Sequence, residues 1–197
     1  MKTADTRSEA GLRTREIQIA LLRGVMPTGS TKVPMAELRA LLQDLGFQDV
    51  RTLLATGNAV FRSGKLGGPK LETLLEKEIA AHIGPRLDVM VRDLAAFRKI
   101  LAAAPFPAEA EAMPSKVLGT VFKTPPSPDQ AHAFEAAITG PEKAKVVGDV
   151  AWVVHSNGVA ASNVTPQVYR RAFGKLSGTA RNWNTFGKIL AAAEALA

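Results

Sequence analysis

Apolar residues along this chain alternate between a spacing near two and a spacing near 3.6, and the switches between them mark its elements. Residues 17–23 read Ile-Gln-Ile-Ala-Leu-Leu-Arg, an almost continuous apolar run that predicts a central strand. Residues 24–33 are rich in Gly, Pro, Ser and Thr and read as a loop. Pro34 suits the first turn of a helix, and Met35, Leu38, Leu41, Leu42 and Leu45 keep the helical period up to Gly46, a natural C-cap. Strands are expected over 50–55 and 59–62, joined by the tight turn Thr56-Gly57-Asn58. A loop over 63–69 precedes the stripe Leu71, Leu74, Leu75 and Ile79, which predicts a helix over 71–83 stopped by Gly84-Pro85. A fourth strand is expected over 87–91.

The order strand–helix–strand–strand–helix–strand is the split βαβ, ferredoxin-like arrangement. The second half repeats it in part. A helix over 94–104 is ended by Pro105, a strand follows over 117–122, and Pro125-Pro126-Ser127-Pro128 opens onto a helix over 129–138. Strands over 145–147 and 151–155 form a hairpin around Gly148-Asp149, then come helices over 166–173 and 183–196. This is the first unit minus its final strand, which suggests a duplication resting on element order alone. The expected fold is therefore α+β: two ferredoxin-like (split βαβ) subdomains with mainly antiparallel sheets, the second degenerate, plus a C-terminal helix. The expected division is a flexible tail over 1–15, a subdomain over 16–92, a connecting helix and loop over 93–115, and a second subdomain with the C-terminal helix over 116–197.

Composition narrows the function classes. With 46% hydrophobic and 22% charged residues in 197, the chain is of globular type. Cysteine is absent, which excludes disulfides, thiol nucleophiles, thiolate zinc sites and iron–sulfur clusters. No apolar run approaches the ~20 residues that span a bilayer, and the charged start lacks the apolar segment of a secretory signal. A cytoplasmic protein without membrane attachment is expected. The net charge is +7, and no acid occurs between Asp149 and Glu194, a stretch holding Arg170, Arg171, Lys175, Arg181 and Lys188. Such a stretch fits either an anionic partner or a solvated basic face.

Three features could carry chemistry. The loop Gly24-Val-Met-Pro-Thr-Gly29-Ser30-Thr31 lacks the lysine of a P-loop, and Pro27 removes an amide from the cradle, so an NTPase is rejected. In the ferredoxin-like order the first and third strands are antiparallel neighbours. Arg23, Gly24, Thr56, Gly57 and Asn58 then share one sheet edge, with Lys32 near it. That edge suits an anion, although Gly57 and Asn58 also serve a turn of positive φ. The segment Thr179-Ala180-Arg181-Asn182-Trp183-Asn184 precedes the last helix, where free N–H groups and Arg181 could hold an oxyanion and Trp183 could stack on a ring. Asn182 or Asn184 could equally cap that helix, and Trp183 belong to the core. His82, His132 and His155 show no metal-ligand spacing, and no carboxylate pair is fixed for acid–base work. No cofactor and no metal is expected.

Taken together these motifs resemble a known family. Ala20-Leu-Leu-Arg-Gly24 with Lys32-Val-Pro-Met-Ala-Glu-Leu-Arg39 looks like its opening. Leu45-Gly-Phe47, Val50-Arg-Thr52 and Thr56-Gly-Asn-Ala-Val-Phe61 look like its hairpin, and Thr179-Ala-Arg-Asn-Trp-Asn-Thr185 like its C-terminal signature. The family is the bacterial domain of unknown function 1697, and the similarity runs over 17–190. It implies two ferredoxin-like subdomains and no particular reaction, and it raises the weight of Arg23, Asn58, Arg181, Asn182 and Trp183. After Gly24 the family continues Ile-Asn-Val-Gly-Gly where this chain has Val-Met-Pro-Thr-Gly. Its Tyr-x-Gln-Ser-Gly-Asn hairpin is here Leu53-Leu-Ala-Thr-Gly-Asn58.

The favoured function is binding of a small anionic ligand, phosphorylated or nucleotide-like, in a cleft between the subdomains. Its binding residues would be Arg23, Lys32, Thr56, Asn58, Thr179, Arg181, Asn182, Trp183 and Asn184. Nucleic-acid binding through a basic face is the alternative; without interleaved strand aromatics it would rest on charge and lack sequence specificity. A structural or self-associating role through sheet edges is a third reading, and an enzyme without a nameable base a fourth.

Overall fold

The computed structural model describes residues 16–197; the tail expected over 1–15 lies outside the described residues. In the first sheet β1 (Ile17–Leu22) lies between antiparallel partners β3 (Asn58–Arg62) and β4 (Val89–Asp93), with β2 (Gln48–Leu53) outside β3. The order β2-β3-β1-β4 explains the apolar run in β1, a central strand whose residues Ile19 to Leu22 are all buried. Helices α1 (Met35–Asp44) and α2 (Gly68–His82) cover one face. Leu38, Leu41 and Leu42 of α1 and Leu71, Leu75 and Ile79 of α2 pack with Ala20, Leu22, Phe61, Val89 and Val91 of the strands. Phe47 stacks on Phe61 at a centroid distance of 4.8 Å. Each buried leucine of this kind contributes roughly 1.5–3 kcal/mol.

The edge strand β4 is held by carboxylates of α2. Glu76 accepts from the Val89 N–H at 2.8 Å and Glu72 from the Val91 N–H at 2.9 Å. Two amides of the strand are thereby satisfied.

After α3 (Leu94–Ala102) and α4 (Pro107–Ala112) the second sheet repeats the first. β5 (Val117–Phe122) lies between β7 (Val150–Val154) and β8 (Gly178–Asn182), with β6 (Lys143–Val147) outside β7, in the order β6-β7-β5-β8. α5 (Pro128–Ala137) and α6 (Pro166–Phe173) bury Phe134 and Phe173 against Phe122, Ala151 and Val153. A capping box starts α5: Ser127 accepts from Gln130 N, and the Gln130 side chain accepts from Ser127 N. Glu135 of α5 accepts from the Val146 N–H at 2.8 Å, so edge strand β6 is held as β4 is. The helix α7 (Trp183–Glu194) follows β8 directly.

Two expectations are corrected. The second unit does not lack its last strand, since β8 pairs with β5 over five residues from Phe122↔Gly178 to Leu118↔Asn182. This strand, Gly-Thr-Ala-Arg-Asn, has no apolar alternation to announce it, because its two buried positions are Thr179 and Arg181. The stretch between α3 and β5 is also more ordered than a loop: α4 occupies part of it, starting at Pro107.

The chain divides into two compact units, one reaching to Phe97 and including Ile189–Ala197, the other Arg98–Lys188. Within the first, the Arg62 guanidinium donates to the Leu196 carbonyl and pairs with Asp49 at 3.0 Å. Among the described residues no helix is long and apolar enough to cross a membrane.

Candidate functional site

In the first unit the end of β1 meets the β2–β3 turn, as the sequence indicates. Leu22 N donates to Gly57 O at 2.8 Å. Gly57 has φ +75°, and a Cβ there would stand 2.8 Å from both Leu22 Cβ and Val25 Cγ2, so the turn needs glycine for conformation and for space. Asn58 is fully buried and donates to Leu53 O at 2.9 Å and to Thr56 Oγ1 at 3.1 Å. Arg23 is half exposed and pairs with Asp88 at 3.1 Å. Lys32 is exposed on the loop after β1, where its N–H donates to Gly29 O.

In the second unit Thr179 and Arg181 share the inner face of β8. Arg181 Nη1 donates to Thr179 Oγ1 and to Ala180 O, both at 2.8 Å. Burial lowers the guanidinium to about 10, still protonated at neutral pH. Asn182 Oδ1 accepts from Thr185 N at 3.0 Å and so caps α7. The Trp183 ring lies 5.8 Å from that of Trp152, and Asn184 is exposed. The two groups of expected site residues thus belong to different units.

A site that the sequence reading passed over lies wholly within the first unit. A cavity of about 440 Å³ opens where the starts of β1 and α2 meet the end of β4. Ser63 ties the residue before β1 to the segment before α2: its N–H donates to Glu16 O at 3.0 Å and its hydroxyl to Leu66 O at 2.6 Å. This leads the chain into α2 through Gly67 and Gly68, and no side chain caps that helix start. Lys65 and Arg92 line the cavity, as do Glu16 and Asp93. Asp93 Oδ1 accepts from Ala96 N at 2.7 Å, and Arg92 stands 3.6 Å from Glu72.

Gln18 lies within this cavity wall at 1% exposure. Its Nε2 donates to Glu16 Oε2 at 3.3 Å, while its Oε1 is buried with no hydrogen-bond partner among the described residues. A buried acceptor of this kind is costly unless something donates to it. The cavity therefore offers an acceptor, an ammonium and the amides of a helix start side by side. The signals were present in the sequence: Gln18 is the one polar residue within 17–22, and Gly64-Lys-Leu-Gly-Gly-Pro-Lys70 is glycine-rich and acid-free ahead of a helix.

His155 and Glu142 are both buried in the second unit, and each has one atom, Nδ1 and Oε2 respectively, without a partner among the described residues. Burial lowers the His155 pKa while the Glu142 charge works to raise it. Among the described residues no group of three or more His, Cys, Asp or Glu could hold a metal ion.

A conserved bacterial protein from Streptococcus pneumoniae shares the fold, with a TM-score of 0.69 at 23% identity, covering 90% of this chain and 98% of its own. A comparison with curated proteins finds no match. The family model for a protein of unknown function, DUF1697, matches residues 16–152, which take in the whole first sheet and its cavity and end within β7. By that match the chain belongs to the DUF1697 family of proteins of unknown function.

Proposed function

We propose that this protein binds a small anionic ligand, in the cavity at the start of α2. The observation that carries the reading is the start of α2, which no side chain caps and which lines one cavity together with Lys65; Gln18, whose Oε1 is a buried acceptor without a partner among the described residues, lies in the same wall. A volume of about 440 Å³ suits a metabolite-sized molecule. Helix amides and an ammonium favour negative charge. The basic balance of the chain, +7, works in the same direction at longer range.

Thermal unfolding against a panel of small anions tests this, with phosphate, acetate and adenosine monophosphate as probes at low and moderate salt. A ligand at ~100 times its dissociation constant adds ~2.7 kcal/mol, a shift of several degrees in Tm for a chain of this size. The expected result is a shift that survives moderate salt and is lost in Lys65→Glu. A shift that persists in Lys65→Glu and disappears in Arg23→Ala or Arg181→Ala would instead support the residues singled out from the sequence, and would refute the cavity.

A further inference from the structure

Resting on that reading, we infer that the ligand is a small carboxylate carrying its own hydrogen-bond donor on the adjacent carbon, of the amino-acid or hydroxy-acid class, and that Gln18 selects it. Charge is the first argument. Lys65 and Arg92 are balanced in the cavity wall by Glu16 and Asp93, so the formal charges cancel. What remains is the partial positive end of α2, roughly half a charge. A phosphate monoester near neutral pH brings roughly −1.5 to −2 and would face two carboxylates. A carboxylate brings a single negative charge, which the helix start and Lys65 can meet. Arg92 is already committed in part, donating to Val91 O at 2.6 Å and lying 3.6 Å from Glu72. Lys65, by contrast, is exposed and carries no ion pair among the described residues.

The second argument is the kind of group that Gln18 presents. Its Nε2 donates to Glu16, which fixes the amide with Oε1 as the unpartnered atom. That oxygen can only accept. The carboxylate of a ligand cannot satisfy it, but a hydroxyl or an amine on the next carbon can. Gly67 packs directly against this amide, with no side chain between them. A Cβ at position 67 would stand 3.2 Å from Gln18 Nε2 and 3.4 Å from Oε1. The register sets Gln18 opposite Asp93 on neighbouring strands, so a protonated amine also finds a carboxylate in the wall.

Calorimetric titration of the full chain with acetate, glycolate, glycine and inorganic phosphate tests the inference. The first three differ by one group on one carbon. Glycolate or glycine should bind about tenfold more tightly than acetate, the gain from one satisfied acceptor. Whichever of the two gains more tells a hydroxy acid from an amino acid. Gln18→Met should erase the gain, so that glycolate and glycine bind no more tightly than acetate, and Gly67→Ala should reduce it by crowding the same amide. The second variant carries the test should the first fail to fold. If phosphate binds more tightly than all three carboxylates, with loss in Lys65→Glu, the class is wrong and the anion-binding cavity stands. Equal affinities for acetate, glycolate and glycine would likewise overturn the role of Gln18 alone. No binding by any of the four would overturn the inference and the proposed function together.

Discussion

Asn58 Nδ2 lies 2.9 Å from the carbonyl oxygen of Leu53, across the turn that joins β2 to β3. The bond closes the turn from within, because Asn58 is fully buried and Leu54 beside it takes a positive φ of 57°. Asn58→Ala removes the donor and deprives both Leu53 O and Thr56 Oγ1 of it. A loss of about 1–3 kcal/mol is expected, read as a lower urea midpoint at unchanged slope. Asn58→Asp should be at least as damaging, since a carboxylate would face a carbonyl.

Gly119 lies opposite both Trp152 and Arg181 in the second sheet. A Cβ there would meet Trp152 at 2.8 Å and Phe186 at 2.9 Å, both ring atoms packed in place. Gly119→Ala should therefore destabilise by about 1–3 kcal/mol, as overpacking of a core does. Near-ultraviolet circular dichroism of the Trp152 environment should change with it, whereas Gly187→Ala, with open space around its Cβ position, should leave that signal unaltered.

Asn182 ends β8 and starts α7 in one residue, its Oδ1 accepting from Thr185 N at 3.0 Å. Asn182→Ala should lower stability by about 1 kcal/mol, the usual worth of a cap. Asn182→Asp keeps an acceptor and adds negative charge at a helix start, so its stability at low salt should equal or exceed that of the parent. Equal losses in both variants would show that the side chain acts by something other than capping.

His155 gives the stability a defined pH dependence. Burial holds its pKa below the ordinary 6.5, with Glu142 opposing. Below 6.5 the unfolded chain takes up a proton that the folded chain resists, so the unfolded state binds more protons there. The contribution is complete above that pH and is lost as the pH falls through it toward the lowered folded value. Urea unfolding from about pH 8 to about pH 5 should show stability declining on the acid side. His155→Gln should flatten the part of the decline nearest pH 6.5.

Most of the fold was legible because its central elements are apolar in a regular way. β1, β3 and β5 are runs whose burial follows from composition, and the leucines of α1 and α2 keep the helical period. Gly57 was legible because a positive φ narrows the choice of residues, whereas Asn58, expected to share that conformation, has no positive φ and is the first residue of β3. β8 was not, because an arginine and a threonine fill its inward positions and satisfy each other there. The candidate site was legible least of all. Gln18 looks like an interruption in a strand and Gly67 like part of a linker, and only the fold sets the amide of one beside the bare Cα of the other. Asn182 read as part of an oxyanion site, or as a helix cap; the observed bond to Thr185 is the cap.

The most direct test of the cavity is a nuclear magnetic resonance titration of the isotope-labelled chain with glycolate and with glycine. The account predicts saturable shifts in the backbone amides of Gly67, Gly68 and Lys70 and in the side-chain amide of Gln18, while those of Arg23 and Arg181 stay still. Saturable shifts centred on Arg23 or Arg181, with the start of α2 and Gln18 unmoved, would contradict it.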